Sequence, residues 1–284
     1  MILRTPPLKT TLACSAIAVA ALGLAGTACA DTVTAFDAAY TANGQWYQSS
    51  QTAGGSASIE SLAGQGGNLQ NNAPLPGGAA VLRTDNTNTA RTEVSVSDSY
   101  GKAGDILRSL TLGYDFYRSN AAGQNAAAAP SLKLTFYNPT YAGDGFVTLI
   151  YESYWQGSGN PASDAWTHVD IDFTKGLFWQ NGGFGQANSA GGPPLNTLSG
   201  WLSAFDGGFG DASLVSVTIG LGTYNPGVTG YFDNVSISDS FGTGYNRSYD
   251  FEAAAASVPE PASLALVGIA LAGMGAAARR RKSK

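Results

Sequence analysis

The chain has 284 residues, of which 37 are Gly, 12 are Pro, 12% are charged and 44% are hydrophobic. So little charge argues against a coiled coil or a disordered solvating tail, and the hydrophobic fraction is sufficient for a sizeable core. His168 is the only histidine in the sequence, which excludes multi-histidine metal centres and argues against histidine-based nucleophilic catalysis.

Charge is distributed unevenly along the chain. Residues 31–257 carry eight basic and 19 acidic side chains, a net formal charge of −11. Such a body repels nucleic acid and anionic lipid, so we expect no nucleic-acid partner and interpret the charge as keeping an exported protein soluble. Both cysteines, Cys14 and Cys29, lie in the first 30 residues, so removal of that segment would leave no disulfide.

The first 30 residues have the three zones of a secretory signal peptide. Arg4 and Lys9 precede an apolar run at 12–24, and Ala28-Cys29-Ala30 supplies small residues for a signal peptidase, with Asp31 as the new N-terminus. We therefore predict a signal helix within residues 1–30. The alternatives are an N-terminal core helix, or a lipoprotein acylated at Cys29, against which Gly26 argues.

Between residues 31 and 251 short runs alternate apolar and polar side chains, and Gly-, Asn- and Pro-rich loops separate them. This pattern predicts an all-β fold, an antiparallel β-sandwich, as one domain over residues 31–252. The clearest runs are 91–97, 110–117, 132–136, 145–155, 167–173, 215–221 and 231–237.

The run at 166–173 is the most suggestive for ligand binding. On a strand, Trp166, His168, Asp170 and Asp172 would share one face, where an indole could stack on a sugar and the polar groups could bind its hydroxyls. The alternative is the solvated face of an outer strand, which alternation alone predicts. Phe178-Trp179 could also contribute a sugar platform, although neighbouring residues on a strand face opposite sides, so only one of the two would be exposed there.

We predict no catalytic residues. Asp170 and Asp172 would lie about 6.6–6.8 Å apart at Cα, which does not exclude an acid pair. However, sandwich-fold glucanases use Glu-x-Asp-x-(x)-Glu, and no glutamate flanks this segment. Glu152 stands among aromatic residues without a partner evident from sequence, and the chain has no nucleophile elbow, P-loop or HExxH motif.

Residues 230–237 read Gly-Tyr-Phe-Asp-Asn-Val-Ser-Ile. This segment resembles the closing strand of carbohydrate-binding jelly rolls, and the resemblance implies a sandwich of jelly-roll type in which Asp233 helps to hold a structural calcium. The alternative is an Asp-Asn pair at the polar face or bend of a strand. We expect no other cofactor.

The C-terminus combines three features in fixed order. After an Ala-rich stalk at 253–257 come Val258-Pro259-Glu260-Pro261, an uncharged run at 262–278, and a basic tail that begins Arg279-Arg280-Arg281-Lys282. The run of 17 residues would span about 25 Å as a helix, near the lower limit for crossing a bilayer. Since basic residues stay cytoplasmic, this predicted transmembrane helix would leave the body outside.

Residues 258–284 resemble the PEP-CTERM sorting signal. The resemblance implies recognition by an exosortase, cleavage near 258–261, and delivery to the cell surface or to the exopolysaccharide matrix of a biofilm. We therefore expect an exported surface or matrix protein, membrane-anchored before processing, with a non-catalytic body. The alternatives are a lectin-like carbohydrate-binding module that binds exopolysaccharide and, third, a secreted polysaccharide-active enzyme.

Replacing Pro259 and Pro261 with Ala tests the sorting interpretation. The two prolines bias the backbone to the extended form that a protease cleft can hold, so we expect the double variant to persist as a full-length, membrane-retained species. Immunoblots of the membrane and medium fractions measure this, and release at the wild-type level would contradict cleavage at the motif.

Overall fold

The computed structural model describes residues 30–189 and 191–254. The predicted signal helix, the Pro-Glu-Pro motif, the apolar run at 262–278 and the basic tail lie outside these residues, as does the stalk beyond Ala254. In the described part of the chain, no helix is long and apolar enough to cross a bilayer.

Strands dominate the described residues, as the alternating pattern predicts. Three short α-helices connect them: α1 (Gly67–Asn71), α2 (Ala103–Ile106) and α3 (Leu198–Ala204). The strands are β1 (Asp31–Val33), β2 (Trp46–Gln51), β3 (Gly55–Ser61), β4 (Gly78–Thr84), β5 (Thr92–Lys102), β6 (Leu110–Arg118), β7 (Ser131–Tyr137), β8 (Phe146–Tyr151), β9 (Trp166–Ile171), β10 (Phe178–Asn181), β11 (Ser213–Leu221), β12 (Thr229–Asp239) and β13 (Asn246–Phe251).

These strands form the two sheets of a β-sandwich. The six-stranded sheet has the order β10-β8-β7-β11-β5-β2 and is antiparallel throughout. In the seven-stranded sheet, β9 pairs with β6 and β6 with β12. Along its other edge, β12 pairs first with β4 and then with β13. Strand β4 pairs in turn with β3, and β13 pairs with β1. The β1–β13 pair is parallel and is an exception to the antiparallel pairing that we predicted.

The two sheets share one core because each strand turns alternate residues inward. On β11 the inward residues Val217, Ile219 and Leu221 are fully buried. From the opposite sheet, Phe116 and Phe232 belong to the same core. Burying a side chain of this size contributes roughly 1.5–3 kcal/mol, so this alternation specifies both the register and the face of each strand.

The outer faces of the two sheets differ. A smaller apolar cluster covers part of the seven-stranded sheet, where Tyr117 of β6 and Tyr231 of β12 pack with Leu69 of α1. We call this the outer cluster; its buried members are Leu62, Leu69, Ala79, Val81, Tyr117 and Tyr231. The outer face of the six-stranded sheet carries mainly polar residues, and it contains the cavities described below.

Most of the predicted strands are confirmed, with two differences. The run at 145–155 ends as a strand at Tyr151, because the chain then makes a 3₁₀ turn at Ser153–Gln156 that closes at Gly157 with φ +84°. The predicted runs do not include strands β1, β2, β3, β4, β10 and β13. Segments such as Gly78–Thr84 carry small residues instead of a clear alternation of large apolar ones, and β1 and β10 are only three and four residues long.

Asp233 lies where β12 exchanges partners. Pairing with β4 ends at Phe232 and pairing with β13 begins at Val235, while Asn234 has φ +52° in a bulge against β6. Asp233 is completely buried; its Oδ1 accepts the Phe251 N–H at 3.0 Å, and its Oδ2 has no partner. Burial raises the pKa of the Asp233 carboxyl to about 7, and the nearby Asp250 and Glu252 carboxylates also raise it.

This buried carboxyl predicts a stability that falls as pH rises. The ordinary pKa is 3.8, so between about pH 4 and 7 the folded protein retains a proton that the unfolded chain has lost. We expect the free energy of unfolding to drop by on the order of 2–4 kcal/mol across this window. Asp233→Asn should flatten the slope and stabilise the protein at pH 8, because its amide oxygen can still accept the Phe251 N–H.

Urea unfolding at pH 5, 6.5 and 8 measures the effect. The exposed Asp105 provides a matched control, since Asp105→Asn makes the same substitution at a carboxyl that is not buried and should retain the wild-type slope. An Asp233→Asn variant with the wild-type slope would contradict this account.

Candidate functional site

The outer face of the six-stranded sheet contains two adjoining cavities. One, of about 600 Å³, spans from Trp179 on β10 to Glu93 on β5. The other, of about 590 Å³, continues from Phe146 on β8 to Tyr47 on β2. Both are lined by Glu93, Thr135 and Thr218, so together they form one depression that crosses all six strands; we call it the groove.

A glutamate held by two tryptophans stands at one end of the groove. Glu152 follows β8, and its Oε2 accepts the indole N–H groups of Trp155 and Trp179, each at 3.1 Å. Burial raises the pKa of the Glu152 carboxyl, although the Trp179 and Trp155 N–H donors and the nearby Lys133 ammonium oppose the shift. The two indoles fix the carboxyl orientation, so its other oxygen is the one left for a ligand.

An ion pair lies across the middle of the groove. Lys133 on β7 reaches Glu93 on β5, with Nζ 2.7 Å from Oε1, across the intervening strand β11. Gly220 of β11 permits this arrangement, because a Cβ there would lie 2.6 Å from the Glu93 side chain. Both charged side chains are largely buried, at 18% and 12% exposure, so the pair is a fixed part of the groove floor.

Aromatic rings line the other end. Tyr40 packs edge-on against Tyr47 with ring centroids 5.8 Å apart, and Phe146 stacks on Tyr137 at 4.3 Å. Phe146 is 45% exposed although it lies on a strand. A partly exposed ring held in place by a second ring is a rigid apolar surface against which a ligand can pack.

Hydroxyl groups occupy the floor between these ends. Ser95 Oγ hydrogen-bonds Ser49 Oγ and Thr218 Oγ1, each at 2.6 Å, and thereby links strands β2, β5 and β11. Thr135 and Thr148 pair similarly at 3.3 Å. Each hydroxyl carries one donor and two acceptor sites, so such a row retains capacity for a polar ligand.

The predicted sugar-binding residues lie on the other sheet. Trp166, His168 and Asp170 share the outer face of β9, as the alternation predicts. Trp166 packs against Tyr117 of the outer cluster and donates its indole N–H to Leu69 O at 2.9 Å. Its edge is therefore occupied by the protein itself.

The polar members of that set are bonded to their neighbours. His168 Nδ1 lies 3.1 Å from Asp115 Oδ1, and His168 Nε2 lies 3.0 Å from Asp170 Oδ1. Burial opposes the imidazolium, but the hydrogen bonds to Asp115 and Asp170 outweigh it and raise the pKa of His168. Asp172 lies beyond the end of β9, where its Oδ1 accepts the backbone N–H groups of Thr174 and Lys175.

The residues around Asp233 do not fit a structural calcium. Calcium needs six to eight oxygen ligands, whereas the described ranges 30–189 and 191–254 contain no group of three or more His, Cys, Asp or Glu side chains that could hold a metal. Oδ1 of Asp233 is bonded to the backbone of Phe251, and its Oδ2 is buried without a partner. The bend at Asp233-Asn234, the alternative interpretation of the sequence, is the arrangement that is observed.

The sequence indicates only part of the groove. It placed one of Phe178 and Trp179 on an exposed face, and Trp179 does line the groove while Phe178 is buried. It noted Glu152 without a partner, and that partner is the pair of indoles. Arg91, Glu93 and Lys133 were missed, because only the strand order brings them together.

Comparison with solved structures finds distant similarities. A family 11 carbohydrate-binding module of a cellulosomal cellulase from Clostridium thermocellum has 14% identity and a TM-score of 0.38, over 72% of this chain and 90% of that one. An endo-β-1,4-glucuronan lyase from Trichoderma reesei has 12% identity and a TM-score of 0.39, over 71% and 93%. Scores this low do not establish a shared function.

Comparison with known sequences finds one specific match, at the C-terminal region of the chain. No curated protein matches the chain significantly. Residues 257–282, however, match the family model described as the PEP-CTERM protein-sorting motif. The chain therefore carries a PEP-CTERM sorting motif in its C-terminal region.

Proposed function

We propose that this protein is exported, sorted by an exosortase through its C-terminal motif, and binds a linear polysaccharide at the cell surface or in the exopolysaccharide matrix. The motif match at residues 257–282 supports the sorting step. The signal-peptide pattern of residues 1–30 supports export, with signal peptidase as an earlier partner.

The observation that carries the binding proposal is the extent of the groove across six strands. Five strand spacings of about 4.8 Å give a length of about 24 Å. A depression of that length suits an extended chain of several sugar rings better than a single small molecule, which usually occupies one enclosed cavity.

The chemistry of the groove supports the same ligand class. Pyranose rings present an apolar C–H face and a rim of hydroxyls. Trp179 at one end, and Tyr47 and Phe146 at the other, supply apolar surfaces. The free oxygen of Glu152 and the threonine hydroxyls supply hydrogen-bond partners in between.

We propose that the body is not catalytic. Glycoside hydrolysis uses two carboxyl groups, one of which must transfer a proton while the other attacks or activates water. In the groove, Glu93 is held by Lys133 and Glu152 by two indole N–H groups. Carboxylates held in this way are suited to accept hydrogen bonds from a ligand in a fixed geometry.

One observation favours a hydrolase as the second candidate. Burial raises the pKa of Glu152, and a carboxyl with a raised pKa can act as a general acid. That candidate predicts new reducing ends when the protein is incubated with polysaccharide, and their loss in Glu152→Gln.

Affinity electrophoresis of the purified full-length protein in gels containing neutral or acidic polysaccharides tests the binding proposal. Trp179→Ala and Tyr224→Ala each remove a ring from the groove lining, and we expect each to weaken retardation roughly tenfold. Phe241→Ala is the matched control, because Phe241 is 89% exposed, does not line the groove, and can be truncated as freely as the 73% exposed Tyr224.

Three outcomes separate the candidates. If the groove variants lose the retardation and Phe241→Ala keeps it, the result supports binding in the groove. Absence of retardation by any polysaccharide would contradict the binding proposal and leave a surface protein without a glycan ligand. Reducing ends that depend on Glu152 would assign the protein to the hydrolases.

A further inference from the structure

One basic side chain lies in the groove without a partner. The described residues include eight Lys and Arg side chains, and Arg91 is the one that has neither a hydrogen-bonding partner nor a ring contact. Five others form ion pairs with carboxylates, Arg108 lies over the Phe173 ring, and Arg118 donates to Asn125 O; the five are Arg83, Lys102, Lys133, Lys175 and Arg247.

Backbone hydrogen bonds hold Arg91 in place. Its N–H donates to Thr52 Oγ1 at 2.8 Å, and its carbonyl accepts the Thr52 N–H at 3.0 Å. Gly55 passes so close that a Cβ there would lie 2.0 Å from Arg91 O. The guanidinium is therefore presented from a rigid strand end, just before β5, into the cavity that it lines.

The two carboxylates that line the same cavity as Arg91 already have partners. Glu93 lies two residues further along the same face of the chain, yet it pairs with Lys133. Glu152 accepts two indole N–H groups. Nε of Arg91 is buried without a hydrogen-bond partner, as is Nε of Arg118. Arg118 bonds Asn125 O through Nη2, whereas the terminal nitrogens of Arg91 have no partner among the described residues.

We propose that the ligand of the groove is an acidic polysaccharide and that a uronate carboxylate accepts hydrogen bonds from the Arg91 guanidinium. The planar, positively charged guanidinium fork matches a carboxylate in bidentate geometry. This inference rests on the proposed function, whose binding site it specifies further.

The acidic body does not prevent such binding. The net charge of −11 over residues 31–257 repels a polyanion at a distance. At physiological ionic strength the Debye length is about 8 Å, so most of that repulsion is screened. The contact at Arg91 forms inside the groove, where screening is weaker.

Matched ligands and matched variants test the proposal. Alginate and polygalacturonate are each compared with their methyl esters, which keep the backbone and remove the charge; dextran sulfate and a neutral β-glucan complete the panel. Wild-type full-length protein should bind the free acids about tenfold or more tightly than the esters. Arg91→Gln should lose this preference and keep its ester affinity, because Gln retains hydrogen bonding but not the charged fork.

Arg247→Gln is the control variant. It makes the same substitution and the same change in net charge at the exposed Arg247, which pairs with Asp31 outside the groove, so it should retain the wild-type preference. Urea midpoints verify that both variants fold as the wild type does.

The outcomes distinguish this inference from the binding proposal on which it rests. Equal affinity of the wild type for acids and esters, or an unchanged preference in Arg91→Gln, would overturn the role of Arg91 and leave polysaccharide binding intact. Stronger, Arg91-dependent binding of dextran sulfate would replace the carboxylate with a sulfate as the recognised group. Failure to bind any member of the panel, the neutral glucan included, would count against both.

Discussion

The constraint on which the rest of the structure depends is that two sheets must bury their facing sides in one core. Since side chains alternate along a strand, burying Val217, Ile219 and Leu221 of β11 turns Thr218 and Gly220 outward. The same holds for β5, where Val94 and Val96 are buried and Glu93 and Ser95 face out. The residues that alternate with the core residues therefore line the groove, and one sequence pattern specifies both.

The two outer faces then differ in how they are used. On the seven-stranded sheet, Tyr117 and Tyr231 turn outward and belong to the outer cluster, in which they pack with Leu69 of α1. On the six-stranded sheet, the outward residues are small and hydroxylated in the middle, with rings at both ends and charge between them. Small residues such as Gly220 and Ser131 lower the floor, and the Glu93–Lys133 pair stabilises it. The groove thus results from differences in side-chain size on one sheet, together with loop residues such as Asn125 and Tyr224 that also line it.

The sequence predicted the fold class and most strands of strong alternation, such as 167–173 and 215–221, because their inward residues are large. It failed where strands carry small residues, as in Gly78–Thr84, or where an aromatic run leaves the sheet at Ser153–Gln156. The residues of β9 that it indicated for sugar binding lie on the opposite sheet from the groove. Trp166 has the sequence context expected for a sugar platform, but its indole N–H is bonded to Leu69 O.

The groove could not be predicted from sequence because its residues are distant along the chain. Glu93 and Lys133 meet only because β11 inserts between β5 and β7, and Trp179 joins Glu152 only because β10 pairs with β8. Strand order is a property of the whole sheet, and alternation within each strand carries no information about it. Glu152 among aromatic residues and the Phe178-Trp179 pair were the local signals of this site.

The indole signals of the protein provide the most direct test of the groove as the ligand site. Of its five tryptophans, Trp155 and Trp179 bond Glu152 at the groove, Trp46 and Trp201 are buried in the core, and Trp166 lies on the opposite sheet. In a ¹H–¹⁵N spectrum of the full-length protein, titration with oligosaccharides of the tightest-binding polysaccharide should shift the Trp155 and Trp179 indole signals and leave the other three in place. A shift confined to Trp166, or saturable binding that moves neither groove indole, would contradict the account.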